Sequence, residues 1–374
     1  MEDVYENYPG NNSQESQNYQ GNSQMNEVDK ELAEYLQNQK ARIRVVGVGG
    51  GGGNSLSRMR EIGIKGSELL AVNTDAQDLL YVNADQKVLI GKELTQGLGA
   101  GSNPQVGEEA AKESESDLKK KLSGSDMVFI TCGMGGGTGT GAAPEVARIA
   151  KKQGALTIGI VTTPFTIEGK KRLDNASMGL EKMDTMVDTL IVIPNDKLLE
   201  LAPDLPLHTA FKISDEILTN AVKGVTELVT SSGLVNLDFA DIKAVMSDGG
   251  VSLIGMGESD SAENRAQEAV NKAVENPLLD VDISNAKGAL VNIVGGNDMS
   301  LDECKLIMKT IGDRLSSDSK MIWGAQISPD MEKSIRVLLI VTGVKSSQIL
   351  GKRESVESQK HKEIEDELGI DFFE

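Results

Sequence analysis

Histidine and cysteine are almost missing from this 374-residue chain. With only His208 and His361, a Ser–His–Asp triad or a His-rich metal site has little to be built from. The two cysteines, Cys132 and Cys304, form no CxxC pair, so no zinc site or disulfide framework is visible and a reducing cytoplasm fits. Basic charge is also short. Thirty-eight Lys and Arg face 57 Asp and Glu, for a net charge of −19. That balance argues against nucleic acid, whose binders need a basic face, and against an anionic membrane surface. No apolar run approaches the length of a membrane span, so membrane insertion is not expected. The N-terminus lacks the basic-then-apolar pattern of a signal peptide.

What the chain has in excess is glycine, 40 residues of it, and it is clustered into loops. The length calls for two domains with tails. Residues 1–26 carry no Lys or Arg and are rich in Asn, Gln, Ser and Gly, which reads as a disordered tail. Val28, Leu32 and Leu36 predict a short amphipathic helix within 27–40. Over 41–206, apolar runs at Ile43–Val48, Leu69–Val72, Val88–Ile90, Met127–Thr131, Leu156–Val161 and Leu190–Ile193 alternate with helical stretches. Such alternation predicts an α/β doubly wound parallel sheet, which binds ligands at the carboxyl ends of its strands. A long, largely apolar helix is predicted over Leu207–Thr230, within a central region 207–250. Strands at Val251–Met256, Ala289–Val294, Met321–Ile327 and Val337–Thr342, with helices at Ala262–Glu275 and Leu301–Leu315, make a smaller α/β domain over 251–344. Residues 345–374 form a charged tail.

Two glycine-rich loops carry the chemistry. Gly47–Asn54 follows the first strand and opens a helix, where backbone N–H groups can approach phosphates closely. Alone it is ambiguous, because Gly47, Gly49 and Gly52 also satisfy GxGxxG and, with Asp75 after the second strand, would suit a nicotinamide-dependent dehydrogenase. The second loop, Gly133–Gly141, exceeds what a dinucleotide fold needs, and GxxxxGK[ST] is absent. Thr138 and Thr140 add hydroxyl donors to its amides.

Gly135-Gly136-Gly137-Thr138-Gly139-Thr140-Gly141 is similar to the signature of the tubulin/FtsZ family of GTPases. Asn73-Thr74-Asp75-Ala76-Gln77, Gly97–Pro104 and Asn236-Leu237-Asp238-Phe239-Ala240-Asp241 resemble further loops of that family, and the resemblance spans about Arg42 to Val344. It implies a GTP-binding first domain, a central helix, a smaller activation domain and head-to-tail self-assembly into filaments of the cell-division ring. Carried over by position, Gly50, Gly51, Gly52, Gly53 and Asn54, Asn73 and Asp75, Ala100, Gly101, Ser102 and Asn103, and Gly135 to Thr140 would surround the phosphates and ribose of GTP or GDP. Glu168 and Arg172 match nucleotide contacts, and Phe211 and Asp215 match base contacts. A carboxylate can accept from both N1–H and the exocyclic amine of guanine, a donor pair that adenine lacks. Without the resemblance, Glu168 and Arg172 read as an ordinary i,i+4 pair and Phe211 as core.

Asp238 and Asp241, with Asn236, are the implied catalytic residues, acting on the GTP of the neighbouring subunit. Read on its own, Asp-x-x-Asp is a helix cap. The implied Mg²⁺ is held by phosphates and water, with no direct protein ligand assigned. The short tail and long N-terminal extension resemble the archaeal branch more than the bacterial one. Ile364, Leu368, Ile370 and Phe372 could anchor a membrane-tethering partner, and a disordered acidic tail is the competing reading. A non-polymerising scaffold of the same fold also stays open.

Overall fold

The computed structural model describes residues 41–344, apart from 202–205, 231–232, 236, 248 and 280–282. The tails and first helix expected at 1–40 and 345–374 lie outside the described residues. Ten strands form one sheet in the order β3-β2-β1-β4-β5-β6-β7-β10-β8-β9. They are β1 Ile43–Val48, β2 Ser67–Asn73, β3 Gln86–Leu89, β4 Met127–Gly133, β5 Leu156–Thr163, β6 Thr189–Pro194, β7 Gly250–Ser259, β8 Gly288–Gly295, β9 Lys320–Ile327 and β10 Ile335–Thr342. Every pairing is parallel except those of β10, which runs against β7 and β8. The first six strands follow the doubly wound order, so the carboxyl ends of β1 and β4 lie side by side at its centre.

Burial explains why the apolar runs become strands. β4 is buried from Met127 to Cys132, as expected of a parallel strand covered on both faces. Successive residues serve opposite layers. Val45 joins a core with Leu56, Phe129, Ile158 and Val222, while Val46 joins one with Ile130, Val146 and Leu180. A third core, with Val270, Ile293, Ile307 and Leu339, lies under the later strands.

The long helix spans Leu207–Thr230, as its pattern predicts. It packs on β5 and on β8, and Gly224 lets it settle on β10. A Cβ at Gly224 would stand 2.3 Å from Leu338 Cδ2. β6 and β7 are joined over three register pairs only, Thr189↔Gly250 to Ile191↔Ser252, whereas β7 and β10 share eight.

Candidate functional site

The first glycine run does not form a loose loop. Gly49–Ile62 is one helix whose first turn is made of glycines, entered at Gly49 with φ +71°. The second run ends in the helix Thr138–Lys152. Each helix leaves its first N–H groups without partners inside the helix. The two N-termini converge, for a Cβ on Gly49 would stand 2.9 Å from the Gly139 nitrogen. The Thr74 and Thr138 hydroxyls, 2.6 Å apart, tie the loop after β2 to the same point.

Between them opens a cavity of about 340 Å³ at the carboxyl ends of β1, β4, β5 and β6. Gly50, Gly51, Asn54, Gly136, Gly137, Thr138, Gly139, Glu168, Arg172, Phe211 and Asp215 all line it. A larger cavity of about 570 Å³ lies along the long helix between Ile213, Ile217, Met256 and Leu278. It touches neither glycine loop, so the smaller one is the candidate site.

The other motif residues stand behind this wall. Gly52 and Gly53 face the sheet and Val82: a Cβ on Gly52 would lie 2.6 Å from the Thr131 carbonyl oxygen, and one on Gly53 2.7 Å from Val82 Cγ2. The Gly135 N–H donates to the Thr140 hydroxyl oxygen at 2.9 Å. The loop Ala100–Asn103, with Gly101 and Ser102 in left-handed conformation, backs Gly137. The buried Asn175 amide donates to the carbonyls of Gly135 and Ser102, clamping these two loops. Asn73 accepts from the Thr74 and Asp75 N–H groups. Asp75 caps the helix Ala76–Tyr81 by accepting from the Asp78 N–H at 3.0 Å.

Glu168 and Arg172 form an ion pair, but not along one helix. Glu168 closes the turn Thr166–Glu168, Gly169 follows at φ +98°, and Arg172 belongs to the helix Lys170–Met186. Phe211 is 40 % exposed in the cavity wall rather than in the core. Its ring stands edge-to-face on the buried Phe165, centroids 5.2 Å apart.

Asp215 accepts a hydrogen bond from Ser55 Oγ at 2.7 Å. Burial pushes its carboxyl above the ordinary range, and the Ser55 hydroxyl and the Arg58 charge oppose that. Burial also pushes the Cys132 thiol up to about 12, so it offers no thiolate nucleophile. Ser55, Thr162, Asn195 and Ser214 line the cavity without having been singled out in the sequence. Asn195 follows β6 directly, where the carboxyl-end rule places ligand contacts.

Among the described residues no group of three His, Cys, Asp or Glu could hold a metal ion. Arg172 is the only cation among the described residues lining the cavity, so an anion there relies on backbone N–H groups and helix dipoles.

Asp238 and Asp241 are not brought to this cavity. They are exposed at the start of the helix Phe239–Met246. Asp238 holds the N-cap position without a side-chain capping bond, so the cap reading does not account for it. Asn236 lies outside the described residues. Thr230, before this segment, lies against Gly66 at the amino end of β2. Met246, at its end, accepts from the hydroxyl of Thr189 at the amino end of β6. From Asp215 to Thr230 the long helix rises about 22 Å at 1.5 Å per residue, beyond the reach of any side chain. One end of the molecule carries the cavity, and the flanks of the acidic segment are anchored at the other.

Comparison with known proteins agrees with this geometry. Residues 42–203 match the family described as Tubulin/FtsZ family, GTPase domain, and residues 250–345 match FtsZ family, C-terminal domain. The chain is 58 % identical to Cell division protein FtsZ 1 of Thermococcus kodakarensis over 88 % of its length and 87 % of that protein. It is 52 % identical to Cell division protein FtsZ of Methanothermobacter thermautotrophicus over 94 % of each. A solved M. jannaschii structure described as an empty FtsZ dimer superposes with a TM-score of 0.81 at 56 % identity, covering 86 % of this chain and 93 % of that one. Two family matches in order, on a cavity framed by both glycine helices, place this chain in the FtsZ family of tubulin-like GTPases.

Proposed function

We propose that this chain is a GTP-binding, GTP-hydrolysing protein of cell division that assembles head to tail, completing its active site only between subunits. The observation that carries this reading is the separation just described: a cavity framed by two glycine-opened helices at one end and an exposed acidic pair at the other. A contact that joins opposite ends of identical molecules is heterologous and propagates as a filament.

In the cavity, the N–H groups opening Gly49–Ile62 and Thr138–Lys152 hold the phosphates. Asp215 accepts from the guanine edge, and Phe211, propped by Phe165, lies against the base or ribose. Glu168 and Arg172 complete the sugar side. Asp238 and Asp241 of the next subunit, with Asn236, orient a water and accept its proton as it attacks the γ-phosphate, giving GDP and phosphate. A magnesium ion, carried on phosphate oxygens and water, would supply neutralisation of the phosphate charge. In this reading 41–206 houses the phosphates, the central region 207–250 carries both the base contacts Phe211 and Asp215 and the acidic pair, and 251–344 is the smaller activation domain.

The protein acts in the cytoplasm at the division site. No helix among the described residues is long and apolar enough to cross a membrane. In this reading a tethering partner attaches the ring by gripping Ile364, Leu368, Ile370 and Phe372, apolar anchors in an acidic context. The test of the main reading is sedimentation with GTP, GDP and a non-hydrolysable analogue, beside competition binding of GTP and ATP. Pelleting with GTP and the analogue but not with GDP is expected. Equal affinity for ATP and GTP overturns the guanine assignment.

A further inference from the structure

The first helix and the long helix meet beside the cavity, and one short hydrogen bond joins them there. Ser55 lies one turn beyond Gly51 and is 2 % exposed. Its Oγ stands 2.7 Å from Asp215 Oδ1 and 3.1 Å from the Gly51 carbonyl oxygen. A hydroxyl has one proton to give. A carboxylate is the stronger acceptor and the shorter contact is to Asp215, so the proton points there. No other hydrogen bond to Asp215 is found among the described residues, and the nearest help is the charge of Arg58, itself 3.9 Å from Glu216.

We propose that Ser55 is a positioning residue for guanine recognition: its hydroxyl takes one lone pair of Asp215 Oδ1 and fixes the rotation of the carboxylate, so that both oxygens keep a lone pair in the plane of the base edge. This rests on the reading of Asp215 as the base contact. A free aspartate side chain turns about its last torsion over a broad, nearly two-fold range. Two donors on one base edge need both oxygens in one plane, so an anchored carboxylate discriminates better than a turning one. Burial works against the ionised form at this position, and the same hydroxyl opposes it. The bond also makes one unit of the phosphate helix and the base-reading helix: Ser55 is placed by the glycine turn that faces the phosphates.

The test compares GTP with ITP, which lacks the exocyclic amine, in competition against ribose-labelled GTP on the full chain, in wild type, Ser55→Ala and Ser55→Thr. In Ser55→Ala, GTP should bind about tenfold more weakly, the scale of one hydrogen bond to a charged group, and ITP much less so. The preference for GTP should therefore shrink. Ser55→Thr, which keeps the hydroxyl, should restore it, with melting temperatures unchanged throughout. A merely structural serine would weaken GTP and ITP by the same factor, and that result overturns the proposal, as does an unchanged preference in Ser55→Ala. A wild-type protein that takes GTP and ITP alike instead overturns the assignment of Asp215 to the base.

Discussion

An equimolar mixture of Asp238→Ala and Thr138→Arg chains should hydrolyse GTP although neither chain does so alone. Thr138 lines the cavity between Gly137 and Gly139, so an arginine there fills the space meant for phosphate. Asp238 is exposed at the far end and lines no part of the cavity, so its loss leaves binding intact and removes the water-orienting carboxylate. Loss of such a group lowers turnover about 10²–10⁴-fold. In a mixed filament a complete site needs an intact cavity from one subunit and an intact acidic pair from the next. Random alternation gives that arrangement at about one interface in four, so turnover should approach about a quarter of wild type. The rise of about 22 Å from Asp215 to Thr230 along the long helix is what forbids either variant from rescuing itself. The assay is phosphate release from each variant and from the mixture at equal total chain, with wild type followed through dilution. Specific activity of wild type should fall as the chain is diluted. A mixture no better than its components, or a dilute monomer at full specific activity, refutes the shared site.

Gly136→Ala and Gly52→Ala should separate binding from folding. A Cβ on Gly136 meets nothing within 4 Å and points into free space, so that variant should melt normally and bind GTP more weakly. One on Gly52 collides with the Thr131 carbonyl and with Gly47, so Gly52→Ala should lower the melting temperature through about 1–3 kcal/mol of overpacking. GTP affinity should fall on acidification at a pH above that of an ordinary aspartate, because burial raises Asp215 and only its charged form accepts from guanine. The stability sign is opposite: a raised folded pKa means the folded state holds that proton more tightly, so protonating Asp215 favours folding. Nucleotide titrations from pH 7 downward should show a steeper loss in wild type than in Asp215→Asn, and equal slopes would refute the assignment. Truncation after Lys360 should leave assembly intact and abolish recruitment to the division site in cells; normal localisation of the shortened chain would remove the tethering segment from consideration.

The strands were legible where hydrophobicity alone decides them. β1 is Ile43–Val48 as its apolar run marks it. β2 begins two residues early, at Ser67, because Glu68 is a strand residue held by Arg44 across the ladder at 2.7 Å. β7 runs to Ser259 although the expected strand stopped at Met256. Gly255 and Gly257 look like strand breakers, yet they are where the helix Arg265–Val274 presses on the sheet: Cβ atoms there would stand 2.1 Å from the carbonyls of Ala273 and Ala269. The motif residues were legible through family likeness, but not which way they face. In the first helix Gly50, Gly51, Asn54 and Ser55 reach the cavity, a helical spacing of three and four, while Gly52 and Gly53 rotate toward the sheet. Five identical glycines hide that rotation. Ser55 gave no signal because a serine inside a helix can bond back to the carbonyl four residues earlier, as this one can at Gly51. Asn195 could have been found from its place after β6.

The three-pair join between β6 and β7 makes the sheet mechanically uneven. The hydrogen bonds of a parallel ladder contribute about 0.5–1.5 kcal/mol each, so this seam is weaker than the eight-pair join of β7 to β10. It also sits at the amino end of β6, which leaves the strands beyond Ile191 and Ser252 unjoined. A plate fastened along one short edge bends there before it bends elsewhere. The long helix, packed on β5 to one side and β8 to the other, is the strut across that crease. The shortest ladder in the sheet thus lies between the strands of the cavity and those that follow the acidic segment, and the long helix spans it.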